Sequence, residues 1–133
     1  MTQLEAARKG EITGAMRRVA EDERVAPEKV REAVARGHAV IPLNPKHSNA
    51  RPVGVGRLFS TKVNANLGRS TARSGKGDEL DKLQVALAAG ADFVMDLSVG
   101  PDLRSIRQGM LDASPAPLGT VPAYETVSRI AGD

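Results

Sequence analysis

The sequence contains no cysteine and no tryptophan, and aromatic residues make up only 2% of its 133 residues. Without cysteine, the chain has no disulfide framework, no thiolate nucleophile and no thiolate ligand for an iron–sulfur cluster. No apolar run approaches the roughly 20 residues that a membrane-spanning helix needs. The N-terminus, with Glu5 and Lys9 in a helical pattern, lacks the apolar centre of a signal peptide. We therefore expect a cytoplasmic protein with no membrane partner.

Acidic residues are missing from one long internal stretch, which runs from Glu32 to Asp78 and contains no Asp or Glu between them. Its cations are Arg36, Lys46, Arg51, Arg57, Lys62, Arg69, Arg73 and Lys76. Such a stretch can attract an anionic, phosphorylated substrate, and a set of solvated loop cations is the plainer alternative. The net charge of +3 is too small, and stacking aromatic residues are too few, to indicate a nucleic-acid partner.

The first 60 residues favour short polar helices. Their pattern predicts helices at 2–9, 13–23 and 27–37. Thr13 is typical of a helix N-cap, and Pro27 is typical of a first helical turn. Small strands are predicted at 40–41 and 53–58, around a loop rich in proline and asparagine. We expect residues 1–60 to form a helical and irregular leader region that is not an independent domain.

A regular alternation of strands and helices occupies residues 61–133. The predicted elements are a strand at 61–65, a helix at 78–89, a strand at 93–97, a helix at 101–112, a strand at 117–121 and a helix at 123–130. Asp78 is a plausible N-cap, Gly90 ends the first helix, and Pro101 opens the second. This alternation predicts an α/β fold with a parallel sheet and right-handed crossovers. Because the pattern stops at Asp133, we expect an unfinished sheet.

The two helices of this region each show one apolar face, which should pack on the sheet. The faces consist of Leu80, Leu83 and Leu87 in the first helix, and of Leu103, Ile106 and Met110 in the second.

Polar residues follow the apolar strands, as they do where a parallel sheet forms a binding site at its carboxyl edge. Asn64 and Asn66 alternate with apolar residues, so both amides should point to one side of the strand. Asn66, Met95 and Tyr124 are separated by equal steps of 29 residues. A strand, a helix and a return take about 30 residues, so we expect these three at the same level on successive strands.

Each of these residues also has a structural alternative. Asn66 could form a turn before a glycine, methionine in a strand is usually core filler, and Tyr124 could anchor a surface. Asp96 could be a buried, hydrogen-bonded strand residue, and Ser98 could cap the following helix. His38 and His47 are too far apart and too isolated from carboxylates to indicate a metal pair.

Five stretches, in this order, resemble the phosphomethylpyrimidine synthase (ThiC) family of radical S-adenosylmethionine enzymes. They are TQLEAARKGEIT at 2–13, VARGHAVIP at 34–42, KVNANLG at 62–68, GADFVMDLS at 90–98 and GTVPAY at 119–124. Family members are several hundred residues long, so the resemblance implies that this chain is only the N-terminal portion. It also implies an incomplete (β/α)8 (TIM) barrel, of which 61–133 would form the first two to three β/α units.

The resemblance implies an activity in thiamine biosynthesis: a carbon–carbon lyase that converts aminoimidazole ribotide to hydroxymethylpyrimidine phosphate. The full-length family uses a 4Fe–4S cluster, S-adenosylmethionine and zinc, and a homodimer is expected. The ligands of these groups belong to later segments, so this chain alone should bind no cofactor and be inactive. Two alternatives stay open: a fragment of the related hydroxybenzimidazole synthase, and a non-enzymatic β/α protein that binds a ribotide or serves as a partner subunit.

For the site, the resemblance implies that Asn66, Met95 and Tyr124 bind the substrate. Around them, Asn64, Asp96 and Ser98 are supporting candidates, and no catalytic or metal-binding residue is assigned in this chain. Three positions depart from the common family residues: Lys46 and Arg69, where asparagine is usual, and Val99, where threonine is usual. These departures concern the fine positioning of substrate.

Overall fold

The computed structural model describes residues 1–70, 76–100 and 102–130. The chain divides into two compact units. The helical unit comprises Met1–Pro45 with Arg51–Lys62, and the sheet unit comprises Lys46–Ala50 with Val63–Asp133. No helix in the described ranges is long and apolar enough to span a membrane.

The helical unit contains three helices and a pair of short antiparallel strands. These elements are α1 (Gln3–Arg8), α2 (Gly14–Glu23), α3 (Pro27–Ala35), β1 (Ala39–Val40) and β2 (Val55–Gly56). The three helices predicted for this region are confirmed. The predicted strands are present, but the pairing of β1 with β2 covers only two residues of each.

Local hydrogen bonds explain where these helices begin. The Thr2 hydroxyl accepts from the Glu5 N–H at 3.1 Å, and the Thr2 N–H donates to the Glu5 carboxylate at 2.7 Å. This capping box satisfies helix N–H groups that lack partners within the helix. The Thr13 hydroxyl accepts from the Met16 N–H at 3.2 Å, and Pro27 stands in the first turn of α3. The predicted roles of Thr13 and Pro27 are confirmed.

The core of the helical unit is built from small and β-branched side chains together with one methionine. Its members include Ala6, Ala7, Met16, Val19, Ala20, Val30, Val34 and Ile41, all buried. Small residues at the contacts let short helices pack closely, and burial of apolar surface stabilises the unit.

The sheet unit has the alternation that the sequence predicts. Its elements are β3 (Asn64–Leu67), α4 (Lys76–Ala88), β4 (Phe93–Asp96), α5 (Leu103–Ala113), β5 (Leu118–Thr120) and α6 (Pro122–Ile130). The three strands form a parallel sheet in the order β3-β4-β5. The mixed α/β class and the parallel pairing are therefore confirmed.

The core of the sheet unit lies between the sheet and its helices. Buried Leu83, Val94, Ile106, Met110 and Ala116 form this cluster. The partly buried side chains packed against it are Leu67, Leu80, Leu87 and Leu118. The predicted apolar faces of α4 and α5 are thus confirmed.

The predicted bounds of β3 and the predicted N-cap of α4 are wrong, and Pro101 lies outside the described residues. The first strand was expected at 61–65, but β3 pairs with β4 from Asn64 to Leu67, because ladder bonds to the apolar β4 decide where the strand forms. Helix α4 begins at Lys76, so Asp78 stands within its first turn and is not the N-cap. A carboxylate there still complements the positive end of the helix dipole.

Candidate functional site

One face of the parallel sheet points away from the helices that cover the other. In β3, Asn64 and Asn66 are exposed, whereas Leu67 packs against the core. In β4, Val94 is buried against the helices, whereas Met95 is only partly buried. Because side chains alternate along a strand, the asparagines and Met95 share the uncovered face. We call this surface, formed by Asn64, Asn66, Phe93, Met95 and Gly119, the open face.

The strand register brings Asn66 and Met95 together. Asn66 is the direct partner of Met95, and Met95 is the direct partner of Gly119 on β5. The prediction that Asn66 and Met95 lie at one level on adjacent strands is confirmed. In a parallel sheet, paired residues present their side chains to the same face, so the amide and the thioether are neighbours.

Tyr124 does not lie on the third strand, so the prediction that it shares this level is wrong. It stands in the first turn of α6, and its N–H donates to the Val121 carbonyl at 3.1 Å. Strand β5 ends at Thr120 because Pro122 opens the helix. Met95 and its strand partner Gly119 are therefore separated by fewer residues than Asn66 and its partner Met95. Tyr124 is 41% exposed.

The glycine opposite Met95 leaves room for the methionine side chain. A Cβ atom at Gly119 would lie 3.1 Å from both the sulfur and the terminal methyl carbon of Met95. Any larger residue there would push the thioether aside. The sequence shows Gly119 only as part of an apolar run, and its role becomes visible once the register is known.

The two asparagine side chains are joined to each other. Asn64 Nδ2 donates to Asn66 Oδ1 at 2.7 Å. The predicted alignment of both amides on one side of the strand is confirmed. This bond leaves the Asn66 Nδ2 group able to donate to a ligand and the Asn64 oxygen able to accept.

Asp96 and Ser98 lie at the carboxyl end of β4 and are buried. Asp96 Oδ1 accepts from the Ser98 N–H at 2.9 Å, and the Ser98 hydroxyl accepts from the Arg69 N–H at 3.1 Å. At Gly68 the two chain segments approach so closely that a Cβ would lie 2.6 Å from the Leu97 carbonyl carbon. The structural alternative for Asp96, a buried and hydrogen-bonded strand residue, is therefore confirmed, and Ser98 ties the loop after β3 to the loop after β4.

A charged residue that sequence reasoning missed completes this region. Arg107 contacts the Asp96 carboxylate through Nε at 3.4 Å and the Glu125 carboxylate through Nη1 at 2.9 Å. A signal for it exists in the sequence. Arg107 follows Ile106 and stands four residues after Leu103, so it borders the apolar face of α5. A cation at such a border is well placed to reach a buried carboxylate at a strand end.

The cations predicted to attract an anion include two that are paired within the helical unit. Arg36 binds Glu32 at 2.6 Å, and Lys62 binds Glu23 at 2.6 Å. Burial disfavours the Glu23 carboxylate, but hydrogen bonds from Lys62 and Ser60 outweigh this and lower the pKa of Glu23 below its ordinary value. Arg73 lies outside the described residues. Attraction of a phosphorylated substrate stays a prediction.

No metal or cluster site emerges from the described part of the chain, where no three His, Asp or Glu residues come together to ligate an ion. His38 is exposed, whereas His47 is buried with Nε2 2.8 Å from the Ser114 carbonyl oxygen. Since the chain also lacks cysteine, its residues do not fit an iron–sulfur cluster, whose ligands are cysteine thiolates.

Comparison with known proteins places the chain in a family. The family model described as "Radical SAM ThiC family" matches residues 2–132 of this chain. The chain is 56% identical over 129 residues to the phosphomethylpyrimidine synthase of Halobacterium salinarum, covering 97% of this chain and 27% of that protein. It is 54% identical over 132 residues to the synthase of Thermus thermophilus, covering 98% of this chain and 30% of that protein.

A third relative, the synthase of Moorella thermoacetica, is 53% identical over 125 residues, which cover 94% of this chain and 29% of that protein. The chain thus spans less than a third of the length of these curated relatives. The match nevertheless runs along almost all of the present sequence, including the stretches that form the open face. This chain belongs to the Radical SAM ThiC family.

Proposed function

We propose that this chain is the N-terminal portion of a phosphomethylpyrimidine synthase and that its open face forms part of the pocket for aminoimidazole ribotide. The observation that carries the proposal is the pairing of Asn66 with Met95 on a sheet face that the helices leave uncovered. A heteroaromatic ligand needs an apolar surface for its ring and a few fixed polar groups for orientation. Met95 and Asn66 supply one of each.

The residues of the open face have distinct chemical roles in this proposal. The Asn66 Nδ2 group donates to a ring nitrogen or to an oxygen of the ribotide, while the bond from Asn64 to the Asn66 oxygen fixes the orientation of the amide. The Met95 thioether, held over Gly119, lies against the flat ring. Tyr124 contributes its hydroxyl from the first turn of α6. Asp96 and Ser98 fix the strand end and do not touch the ligand.

The fold proposal follows from the same face. We propose that residues 61–133 provide the first β/α units of a (β/α)8 barrel, preceded by a leader region in residues 1–60. In such a barrel the helix-covered side of each strand faces outward and the other side lines the interior. The open face would then become part of a closed lining, which accounts for amides and a thioether on a surface without covering helices.

The radical chemistry belongs to other parts of the full-length protein. We propose a carbon–carbon lyase that is cytoplasmic and homodimeric and whose 4Fe–4S cluster, S-adenosylmethionine and zinc are held by residues outside this chain. No step of the radical reaction is assigned to residues of this segment. Its contribution is substrate binding and orientation, and the isolated chain is therefore inactive.

The test uses a chimeric synthase, in which residues 1–133 replace the matching portion of the Thermus thermophilus enzyme, to which they are 54% identical. Ribotide binding is measured by calorimetry, and product is measured after anaerobic turnover. Asn66→Ala should weaken ribotide binding by about 1–3 kcal/mol, because a polar group of the ligand loses its partner. Cluster assembly, followed by its visible absorbance, should be unchanged.

The matched control is Gln84→Ala, which removes an exposed amide from α4 on the helix-covered side of the sheet unit. It should leave ribotide affinity as it is. Normal binding by the Asn66→Ala enzyme would contradict the site, and a different product from the unchanged chimera would contradict the assignment to the thiamine pyrimidine.

A further inference from the structure

We propose that Arg107 is a positioning residue that fixes Tyr124 relative to the carboxyl end of β4. Arg107 bridges Asp96, which directly follows Met95, and Glu125, which directly follows Tyr124. One guanidinium thus holds the neighbours of two proposed ligand residues. This inference rests on the proposed function for the role of Met95 and Tyr124, but the bridge itself can be tested without any ligand.

The β4 end of the bridge is a buried carboxylate with a contact on each of its oxygens. The Asp96 side chain is 1% exposed, and a buried carboxylate is tolerated only when it is paired and hydrogen-bonded. Its Oδ1 accepts from the Ser98 N–H at 2.9 Å, and its Oδ2 lies 3.4 Å from Arg107 Nε. The carboxylate is therefore held on both oxygens, and it anchors the guanidinium at the strand end.

The other end of the bridge reaches the start of α6. Arg107 Nη1 donates to Glu125 Oε2 at 2.9 Å, and both side chains are 22% exposed. The planar guanidinium presents Nε and Nη donors at fixed angles, so it can serve two carboxylates at once. A lysine ammonium has the same charge but cannot reproduce this fixed fork.

Apolar packing alone gives α6 little to fix its position within the sheet unit. Val127 is 64% exposed and Ile130 is 73% exposed, so the larger apolar side chains of this helix add little buried area. A charge-assisted bond at the first turn then has a large influence on where that turn sits. Because Tyr124 precedes Glu125, its ring moves with the bridge.

The sequence provides a direct probe of this geometry, since Tyr124 is the only tyrosine and the chain has no tryptophan. Tyrosine fluorescence therefore reports the start of α6 alone. In Arg107→Gln, quenching of Tyr124 by acrylamide should increase and its anisotropy should fall, while far-UV circular dichroism keeps its shape. Arg107→Lys should fold and still show increased quenching, because the lysine ammonium lacks the planar fork of the guanidinium and binds only one of the two carboxylates.

The control on the same helix is Arg104→Gln, which changes an exposed arginine of α5. Its Tyr124 signal should equal that of the unchanged chain. If Arg107→Gln fails to fold because Asp96 loses its cation, Glu125→Ala tests the same bridge, since it leaves the buried pair of Asp96 and Arg107 in place.

Glu125→Ala should also increase quenching of Tyr124, whereas Thr126→Ala should not, because the Thr126 hydroxyl donates to Pro122 within its own helix. In the double variant with Arg107→Lys, the increase should be no larger than in the single variants, as expected for two groups that act through one contact. Unchanged quenching in Arg107→Lys and Glu125→Ala would overturn the proposal, and so would additive increases.

A titration with aminoimidazole ribotide separates this inference from the proposed function. In the chimeric synthase, Arg107→Lys should need about tenfold more ribotide for half-saturation in calorimetry, the effect of losing one charge-assisted contact. Equal affinities with and without Arg107→Lys would refute the positioning role. No binding by the unchanged chimera would count against the substrate assignment, while the ligand-free quenching would still decide whether Arg107 fixes Tyr124.

Discussion

The helical unit and the sheet unit use their polar side chains in different ways. In the helical unit, the hydroxyls of Thr2 and Thr13 cap helices, and Glu23 accepts from Lys62 and the Ser60 N–H. In the sheet unit, the exposed Asn64 and Asn66 bond to each other on the open face. Side chains that cap helices or form an ion pair stabilise the fold. An amide held on the open face keeps N–H groups that can donate to a ligand.

The largest expected losses of stability come from replacing buried methionines. These losses distinguish the cores of the two units from the open face. Met16 in the helical unit and Met110 in the sheet unit are fully buried, whereas Met95 on the open face is partly exposed. Met16→Ala and Met110→Ala should each lower the free energy of unfolding by about 2–5 kcal/mol, through lost burial and a cavity. Denaturant unfolding followed by circular dichroism measures this.

Met95→Ala is the matched control for these two changes. It should cost clearly less stability, because the side chain already contacts solvent and its removal opens no closed cavity. A loss as large as that of Met110→Ala would place Met95 in the core and would break the distinction between the open face and the covered face.

The next effect concerns ligand affinity and sharpens the assignment of the amide. Asn66→Asp in the chimeric synthase removes the Nδ2 donor and adds a negative charge beside a phosphorylated ligand. Ribotide affinity should fall at least as far as in Asn66→Ala, by about 10- to 100-fold. Asn64→Ala should have a smaller effect, because its proposed role is to orient Asn66 through their hydrogen bond. Unchanged affinity in Asn66→Asp would mean that Asn66 does not donate to the ribotide.

Local patterns predicted the elements of both units well. Thr13 and Pro27 mark helix starts by chemistry that acts within a few residues, and the apolar spacing of Leu80, Leu83 and Leu87 identifies the buried side of α4. These signals need no knowledge of distant contacts. The parallel sheet followed from the alternation of strands and helices, because such a connection cannot be a tight hairpin.

Long-range geometry could be predicted only in part. The equal spacing placed Asn66 beside Met95 correctly, but it failed for Tyr124, because register depends on where a strand pairs and not on chain length. Arg107 was missed for a related reason. Its role depends on Asp96 and Glu125, and the fold alone brings these carboxylates to one guanidinium.

A smaller effect should follow from removing a helix cap in the helical unit. The Thr13 hydroxyl accepts from the Met16 N–H and donates to Gln3 Oε1 at 2.6 Å. Thr13→Ala should lower the free energy of unfolding by about 0.5–2 kcal/mol. The same change at Thr61, which is exposed, serves as the control. Equal losses of unfolding free energy at both positions would show that the Thr13 cap does not stabilise the helical unit.

The smallest expected effect is a dependence of stability on pH in the helical unit. Glu23 and Lys62 form an ion pair at 2.6 Å, with both side chains 10% exposed. Burial opposes ionisation of Glu23, but the bonds from Lys62 and Ser60 prevail and hold its pKa below the ordinary value of 4.5. A lowered pKa means that the folded chain binds fewer protons than the unfolded chain as the pH falls, so acid favours unfolding.

The contribution of ionised Glu23 to the free energy of unfolding is therefore complete above the pKa that Glu23 has in the unfolded chain. It disappears as the pH falls through the lower pKa that Glu23 has in the folded chain. Glu23→Gln should cost about 1 kcal/mol near neutral pH, and the difference from the unchanged chain should shrink as the pH falls below the ordinary pKa of a glutamate. Denaturant midpoints measured along this range test it. Glu21→Gln, at an exposed position of α2, is the matched control and should change the free energy of unfolding by less than about 0.5 kcal/mol. A Glu23→Gln difference that stays constant with pH would mean that packing, and not the ionised carboxylate, makes the contribution.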